Sequence, residues 1–142
     1  MKKQKILVLC TGNSCRSQMA DGFLKHYSKA EYKDVEVYSA GVETHGVNPL
    51  AIKVMQEKGI NISNNTSDLV DDYLKSGITH LISVCDHAIE SCPVFQEKVD
   101  HTHHTFSDPA KTTGSDVKIL NSFRKTRDEI DDFCSNYLKE KI

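Results

Sequence analysis

A chain of 142 residues with 18 basic and 20 acidic side chains carries a formal net charge of −2, so its balance calls for neither nucleic acid nor an anionic membrane surface. The length suits one domain with a sizeable core, and no apolar run approaches the roughly 20 residues of a spanning helix. Five cysteines, an odd number, argue against a fully paired disulfide framework and for catalytic, redox or metal roles for some of them.

The N-terminus, Met1-Lys2-Lys3-Gln4-Lys5, is basic, but the apolar stretch behind it is too short for a signal peptide. A cytosolic, reducing location is therefore expected. From Lys5 to Cys10 the chain reads as a buried strand. From Ser17 to Tyr27 it reads as a helix, with Met19, Phe23 and Tyr27 at helical spacing. Val35 to Ala40 alternates apolar and polar residues as a second strand, and Gly41 and Gly46 punctuate the loop after it. Asn48-Pro49 starts a helix, with proline at its first position, that ends at Gly59. Ser67 is placed to cap a further helix carrying Leu69, Val70, Tyr73 and Leu74 and closed by Gly77. His80 to Cys85 is a third buried strand. An irregular stretch with Cys92 follows, then a short strand between Val99 and Phe106, and a last helix from about Asp116 to Leu138. Its core stripe is Ile119, Phe123, Ile130, Phe133 and Tyr137.

Alternating strands and helices imply a parallel sheet covered on both faces. The expected fold class is α/β: one domain over residues 1–142, with a four-stranded parallel sheet of order 2-1-3-4. Ligands in such folds sit at the carboxyl ends of the strands, at the switch point. Cys10 ends the first strand and so lies where this rule puts the site.

The loop there is Cys10-Thr11-Gly12-Asn13-Ser14-Cys15-Arg16-Ser17. A cysteine, five residues and an arginine between a strand and a helix suit a tetrahedral oxyanion facing a thiolate. Backbone N–H groups of Thr11, Gly12, Asn13, Ser14, Cys15 and Arg16 form the cradle, and the helix dipole favours negative charge. Arg16 adds a forked clamp. The same positive field is expected to lower the pKa of Cys10, with Ser17 donating to its sulfur. There is no GxxxxGK[ST] pattern of a Walker loop.

Two five-residue apolar runs, Ile6 to Cys10 and Leu81 to Cys85, both end in cysteine. As neighbouring strands about 4.8 Å apart, they make a Cys10–Cys85 bond geometrically plausible. Cys92 lies seven residues on, a rise of about 10.5 Å if helical, so a Cys85–Cys92 bond requires the segment between to loop or unwind, and that segment is expected to be mobile. Asp108, stiffened by Pro109, is the candidate general acid. Cys15 reads as a cradle residue with no chemical step, and Cys134 as core packing. His101, His103 and His104 are too irregularly spaced for a metal site with Cys92.

The motif from Cys10 to Ser17, with Asp108-Pro109 late in the chain, resembles the low-molecular-weight phosphotyrosine phosphatase fold family. Cys10 to Ala20, Tyr38-Ser39-Ala40-Gly41, Thr44 to Pro49 and the pair Cys85 and Cys92-Pro93 resemble, within it, the thioredoxin-coupled arsenate reductases. The resemblance implies that Cys10 attacks arsenate while Asp108 protonates the leaving oxygen. Cys85 then attacks Cys10 and arsenite leaves. Cys92 attacks Cys85, and thioredoxin reduces the Cys85–Cys92 disulfide. It also implies a monovalent-cation site, usually for potassium, near Asn13, Asp21, Ser39, Thr66 and Asp68. Asp21 stands where a longer Glu is expected, and Asn65 where some members carry His. No other bound cofactor is implied, and a monomer is the default expectation.

Two other functions use the same residues. A tyrosine phosphatase would employ Cys10, Arg16 and Asp108, but it needs neither Cys85 nor Cys92. It also usually places aromatic residues beside the Asp-Pro, where this chain has Ala110-Lys111-Thr112-Thr113. A redox switch would use Cys85 and Cys92 to sense oxidation without arsenate turnover.

Overall fold

The computed structural model describes residues 3–86, 95 and 98–142. Strand β1 (Gln4–Cys10) leads through the cysteine loop into helix α1 (Arg16–Ala30). Strand β2 (Val35–Gly41) and helix α2 (Pro49–Gln56) follow. Strands β3 (His80–Ser83) and β4 (Asp100–His103) and helix α3 (Asp116–Lys141) complete the regular elements among the described residues. The four strands are parallel and lie in the order β2-β1-β3-β4, as the alternation of elements predicts.

The centre of the sheet is dry because β1 is flanked on both sides. Ile6, Leu7, Val8 and Leu9 have no exposed surface, and each contributes about 1.5–3 kcal/mol by burial. Helix α1 covers one part of the sheet with Met19, Phe23 and Leu24. Gly22 lets α1 approach closely: a Cβ there would sit 2.9 Å from the Met55 methyl and 3.0 Å from Ile62 Cγ2. Helix α3 packs beside α1 through buried Cys134, whose thiol donates to Ala20 O at 3.7 Å, and through a Tyr27 hydroxyl that donates to Asp131. Arg127, 7% exposed, ties α3 to α2 by donating to Val54 O at 3.0 Å and Glu57 Oε1 at 2.7 Å. No helix among the described residues is long and apolar enough to cross a membrane.

Several boundaries differ from expectation. α2 ends at Gln56, and the turn after it closes at Gly59 with φ of +75°. α3 runs three residues beyond Leu138. The expected helix after Ser67 is only a one-turn 3-10 helix, Val70–Tyr73. Its leading residues are drawn to the sheet instead: Gly41 N donates to Asp68 O at 2.8 Å, and Leu69 bridges to Gly41. Ser67 therefore caps no helix and turns its hydroxyl to the cysteine loop.

β3 stops at Ser83, two residues before the expected end. Leu9 pairs with Ser83 in register, so an unbroken strand would place Val84 opposite Cys10 and send the next side chain to the other face. Leaving strand geometry after Ser83 lets Cys85 come back to the loop. Cys92, and the segment expected to rearrange around it, lie outside the described residues.

Candidate functional site

The loop from Cys10 to Arg16 is held by its carbonyls. Val42 N donates to Cys10 O at 3.3 Å, Glu43 N to Thr11 O at 2.8 Å, His45 N to Gly12 O at 2.9 Å and Asn48 N to Ser14 O at 2.9 Å. Asn13 O accepts from Ser67 Oγ at 2.9 Å and Gln18 Nε2 at 3.0 Å. In a trans peptide the N–H points opposite to the C=O. Carbonyls turned out to the surrounding elements therefore leave a row of amides on the inner side, the geometry of an anion nest at a helix start.

Asn13 makes the turn possible. Its φ of +46° is left-handed, a region Asn tolerates. Its side chain is fully buried and accepts from Ser17 Oγ at 2.9 Å and Gln18 Nε2 at 3.0 Å. The Ser17 hydroxyl proton is thus committed to Asn13, which corrects the expectation that it supports the Cys10 sulfur. Asn13 and Ser17 brace the loop from behind rather than line its cleft.

The cleft has a volume of about 250 Å³ and is walled by Cys10, Thr11, Gly12, Ser14, Cys15 and Arg16, with His45, Asp108, Ala110 and Lys111 at its mouth. Arg16 Nη1 donates to Phe106 O at 3.0 Å, and Nη2 lies 3.6 Å from Asp108 Oδ2. Arg16 Nε is buried without a partner, a donor that an oxyanion would satisfy. Asp108 is oriented by its own backbone turn, its Oδ1 accepting from Ala110 N at 3.0 Å.

Cys85 lies beside Cys10 at the loop, with Thr11 Oγ1 3.1 Å from Cys85 Sγ. The strand-end argument thus brings the two thiols together. It does not produce a low Cys10 pKa. The Cys85 hydrogen bond and burial push it up, outweighing the Arg16 charge and the Thr11 amide that pull it down. Two thiols this close titrate as a pair. Cys15 is pushed up to about 12, by burial and then by the Asp108 charge, against the pull of Arg16. Cys134 is raised well above the ordinary thiol value by burial. Neither is placed as a nucleophile.

The five residues of the expected cation site do gather behind the loop. Asn13 Nδ2 donates to Ser39 O at 3.2 Å and Asp68 O at 3.4 Å. The Thr66 hydroxyl donates to the Asp68 carboxylate at 3.0 Å. Asp21 pairs with Lys25 at 3.1 Å; burial raises its pKa against that pull. The histidines fall elsewhere: His101 and His103 share the Ser83 hydroxyl, each at 2.8 Å, and His104 packs on Phe106 and Phe133. Among the described residues, no group of three or more His, Cys, Asp or Glu side chains is disposed to hold a metal.

Sequence reasoning missed His45, Gln18 and Ser67. His45 lies over the loop so closely that a Cβ on residue 12 would come within 2.4 Å of its Nδ1. Gln18 carried a readable signal: it is a polar residue one position past the loop on the inward face of α1, and it is wholly buried.

The model of the low molecular weight phosphotyrosine protein phosphatase family matches residues 5–142. An arsenate reductase of Halalkalibacterium halodurans is 48% identical over 130 residues, covering 92% of this chain and 91% of its own. A solved arsenate reductase in a phosphate-binding state superposes with a TM-score of 0.79 at 30% identity, covering 96% of this chain and 98% of its own. A low molecular weight protein tyrosine phosphatase from T. tengcongensis superposes with a TM-score of 0.80 at 26% identity, covering 99% of this chain and 100% of its own.

Proposed function

The chain belongs to the low molecular weight phosphotyrosine protein phosphatase family, and from that premise we propose that it reduces arsenate to arsenite with electrons supplied by reduced thioredoxin. The observation that carries this reading is the approach of the Cys85 thiol to the oxyanion loop that begins at Cys10, its sulfur 3.1 Å from Thr11 Oγ1. Ester hydrolysis needs one thiolate; a second thiol in contact with the first suits a reaction that removes two electrons.

Arsenate enters the cleft and takes up the amides and the Arg16 Nε. The Cys10 sulfur attacks arsenic, and a water leaves with the proton of the thiol and one delivered by Asp108. Cys85, as thiolate, then attacks the Cys10 sulfur. A sulfur–sulfur bond forms, the sulfur–arsenic bond breaks, and its electron pair stays with arsenic as As(III). One arsenate and two thiols thus give one arsenite, one disulfide and one water. Cys92 next attacks Cys85 and frees Cys10, and thioredoxin reduces the Cys85–Cys92 disulfide. The enzyme acts in this reading as a cytoplasmic monomer.

A phosphatase would use the same loop. Among the described residues the cleft is lined at its mouth by His45, Ala110 and Lys111 and by no aromatic ring beyond the imidazole, so aryl phosphates gain no ring sandwich from them and are hydrolysed only weakly. The assay couples arsenate, thioredoxin, its reductase and NADPH. Native protein sustains NADPH consumption, and Cys92→Ser stops after one arsenite per chain. Sustained turnover by Cys92→Ser contradicts the relay. No arsenate turnover beside brisk aryl phosphate hydrolysis makes the protein a phosphatase.

A further inference from the structure

A second polar pocket of about 250 Å³ lies behind the loop, lined in part by Asp21, Lys25, Ser39, Asn65, Thr66 and Asp68. Its hydrogen bonds have one consistent direction, set by backbone carbonyls that cannot donate. Gln18 Nε2 donates to Asn13 O at 3.0 Å and Thr66 O at 2.9 Å, which fixes the Gln18 amide. Its Oε1 must then accept, so Asn65 Nδ2 donates to it at 3.0 Å and to Asp21 Oδ2 at 3.1 Å. Gln18 Nε2 also fixes Asn13 Oδ1 as an acceptor at 3.0 Å. That leaves Asn13 Nδ2 facing the carbonyls of Ser39 and Asp68.

Beside Asn13 these donors do not fit a monovalent cation, and at Asp21 the cation's place is taken by Lys25. The two carbonyls already receive an amide N–H, and a cation beside Asn13 would face its nitrogen. Asp21, 2% exposed, takes the Lys25 ammonium on Oδ2 at 3.1 Å from the next turn of α1, while its Oδ1 is buried without a partner among the described residues. Lys25 keeps its side chain half in solvent, so it brings charge to the pocket without being buried itself. A carboxylate this enclosed needs such a partner to stay ionised.

We propose that Lys25 is a built-in counter-ion that positions the oxyanion loop, through Asp21, Asn65, Gln18 and Asn13, and makes the loop indifferent to potassium. Lys25 touches no substrate; it acts through Asp21. The ammonium keeps Asp21 ionised, the ionised carboxylate accepts from Asn65, and that bond holds Asn65 against Gln18 Oε1, bracing the Gln18 amide where it supports Asn13. The inference rests on residues 10–17 being an oxyanion cradle, and not on which oxyanion reacts there.

The test measures inorganic phosphate binding by calorimetry and thermal unfolding, in KCl and in tetramethylammonium chloride of equal ionic strength. Native protein gives the same dissociation constant and the same Tm in both salts. Lys25→Met in tetramethylammonium chloride binds phosphate roughly fivefold more weakly, the size of one ordinary net hydrogen bond, because Lys25 acts on the loop only through Asp21. Potassium restores part of that loss, because Asp21 then recruits an external cation, and it raises the Tm of the variant. Lys25→Arg restores native affinity without potassium. The proposal is overturned if native affinity rises severalfold with potassium, or if Lys25→Met matches native protein in tetramethylammonium chloride. If native protein binds no phosphate, the cradle reading fails instead; the Tm of Lys25→Met in the two salts still decides whether Lys25 is the counter-ion, an equal Tm overturning it.

Discussion

Gly41 ends β2 where it touches the loop, and replacing it by alanine tests whether the amide nest depends on that contact. A Cβ there would lie 2.4 Å from Glu43 O, 2.7 Å from Asn13 N and 2.7 Å from Thr11 O. Ordinary contact begins at 3.4 Å, so the three atoms must retreat by about 0.7–1 Å. All three are backbone, and they belong to the loop and to the strap that holds it. Neither side has a flexible tip to yield. Overpacking of this kind costs about 1–3 kcal/mol, a fall in Tm of roughly 3–10 °C for a domain of this size. The Asn13 amide is displaced directly. Misdirecting one or two amides that bind a charged ligand weakens phosphate binding roughly tenfold to a hundredfold. Calorimetric titration of phosphate into Gly41→Ala reads this loss. Gly22→Ala is the control, because its Cβ meets only side-chain methyl groups remote from the loop; it shifts Tm and leaves phosphate affinity unchanged. A Gly41→Ala protein that binds phosphate with native affinity refutes the reasoning.

Two further predictions follow from the charges. Glu57 is held down to about 2 from its ordinary 4.5 by the guanidinium groups of Arg124 and Arg127. A lowered carboxylate pKa stabilises the fold above its unfolded value, and that stability is lost as pH falls through the folded one. Glu57→Gln is therefore less stable than native protein at neutral pH, and the difference closes between about pH 4.5 and pH 2 in acid titrations of unfolding followed by circular dichroism. Cys15, with its pKa near 12, has a thiolate fraction on the order of one in ten thousand at pH 8. Mass spectrometry after iodoacetamide treatment of the folded protein at that pH should find it unmodified, and rapid alkylation would contradict its placement.

The strand order and the meeting of Cys10 with Cys85 were legible in the sequence because both depend on backbone pattern. Two buried runs ending in cysteine, on strands that a right-handed crossover makes neighbours, converge whatever their side chains do in detail. Even so, the register alone would have sent Cys85 to the wrong face, and only the early end of β3 at Ser83 corrects it. The partners of individual side chains were not legible. By sequence alone Ser17 could serve either the Cys10 sulfur or Asn13, and in the fold its hydroxyl goes to Asn13, whose oxygen Gln18 also fixes as an acceptor. Ser67 looked like a helix cap by local pattern, but the carbonyls of Gly12 and Asn13, 55 and 54 positions away, claim its hydroxyl. The pull of β2 on Asp68 and Leu69 then costs the expected helix its first turn. The Cys10 pKa was misjudged for the same reason. The positive field of Arg16 is local and readable, whereas the opposing contact with Cys85 exists only in the fold.

The central claim is that Cys85 takes the oxidised sulfur of Cys10 from arsenic. A single-turnover reaction tests it directly: arsenate in excess, fully reduced protein, no external reductant, followed by acid quench and counts of arsenite and remaining thiols. The account predicts one arsenite and two thiols lost per native chain, and for Cys85→Ser no arsenite, with arsenic retained on Cys10. Arsenite released from Cys85→Ser at the native yield would contradict it.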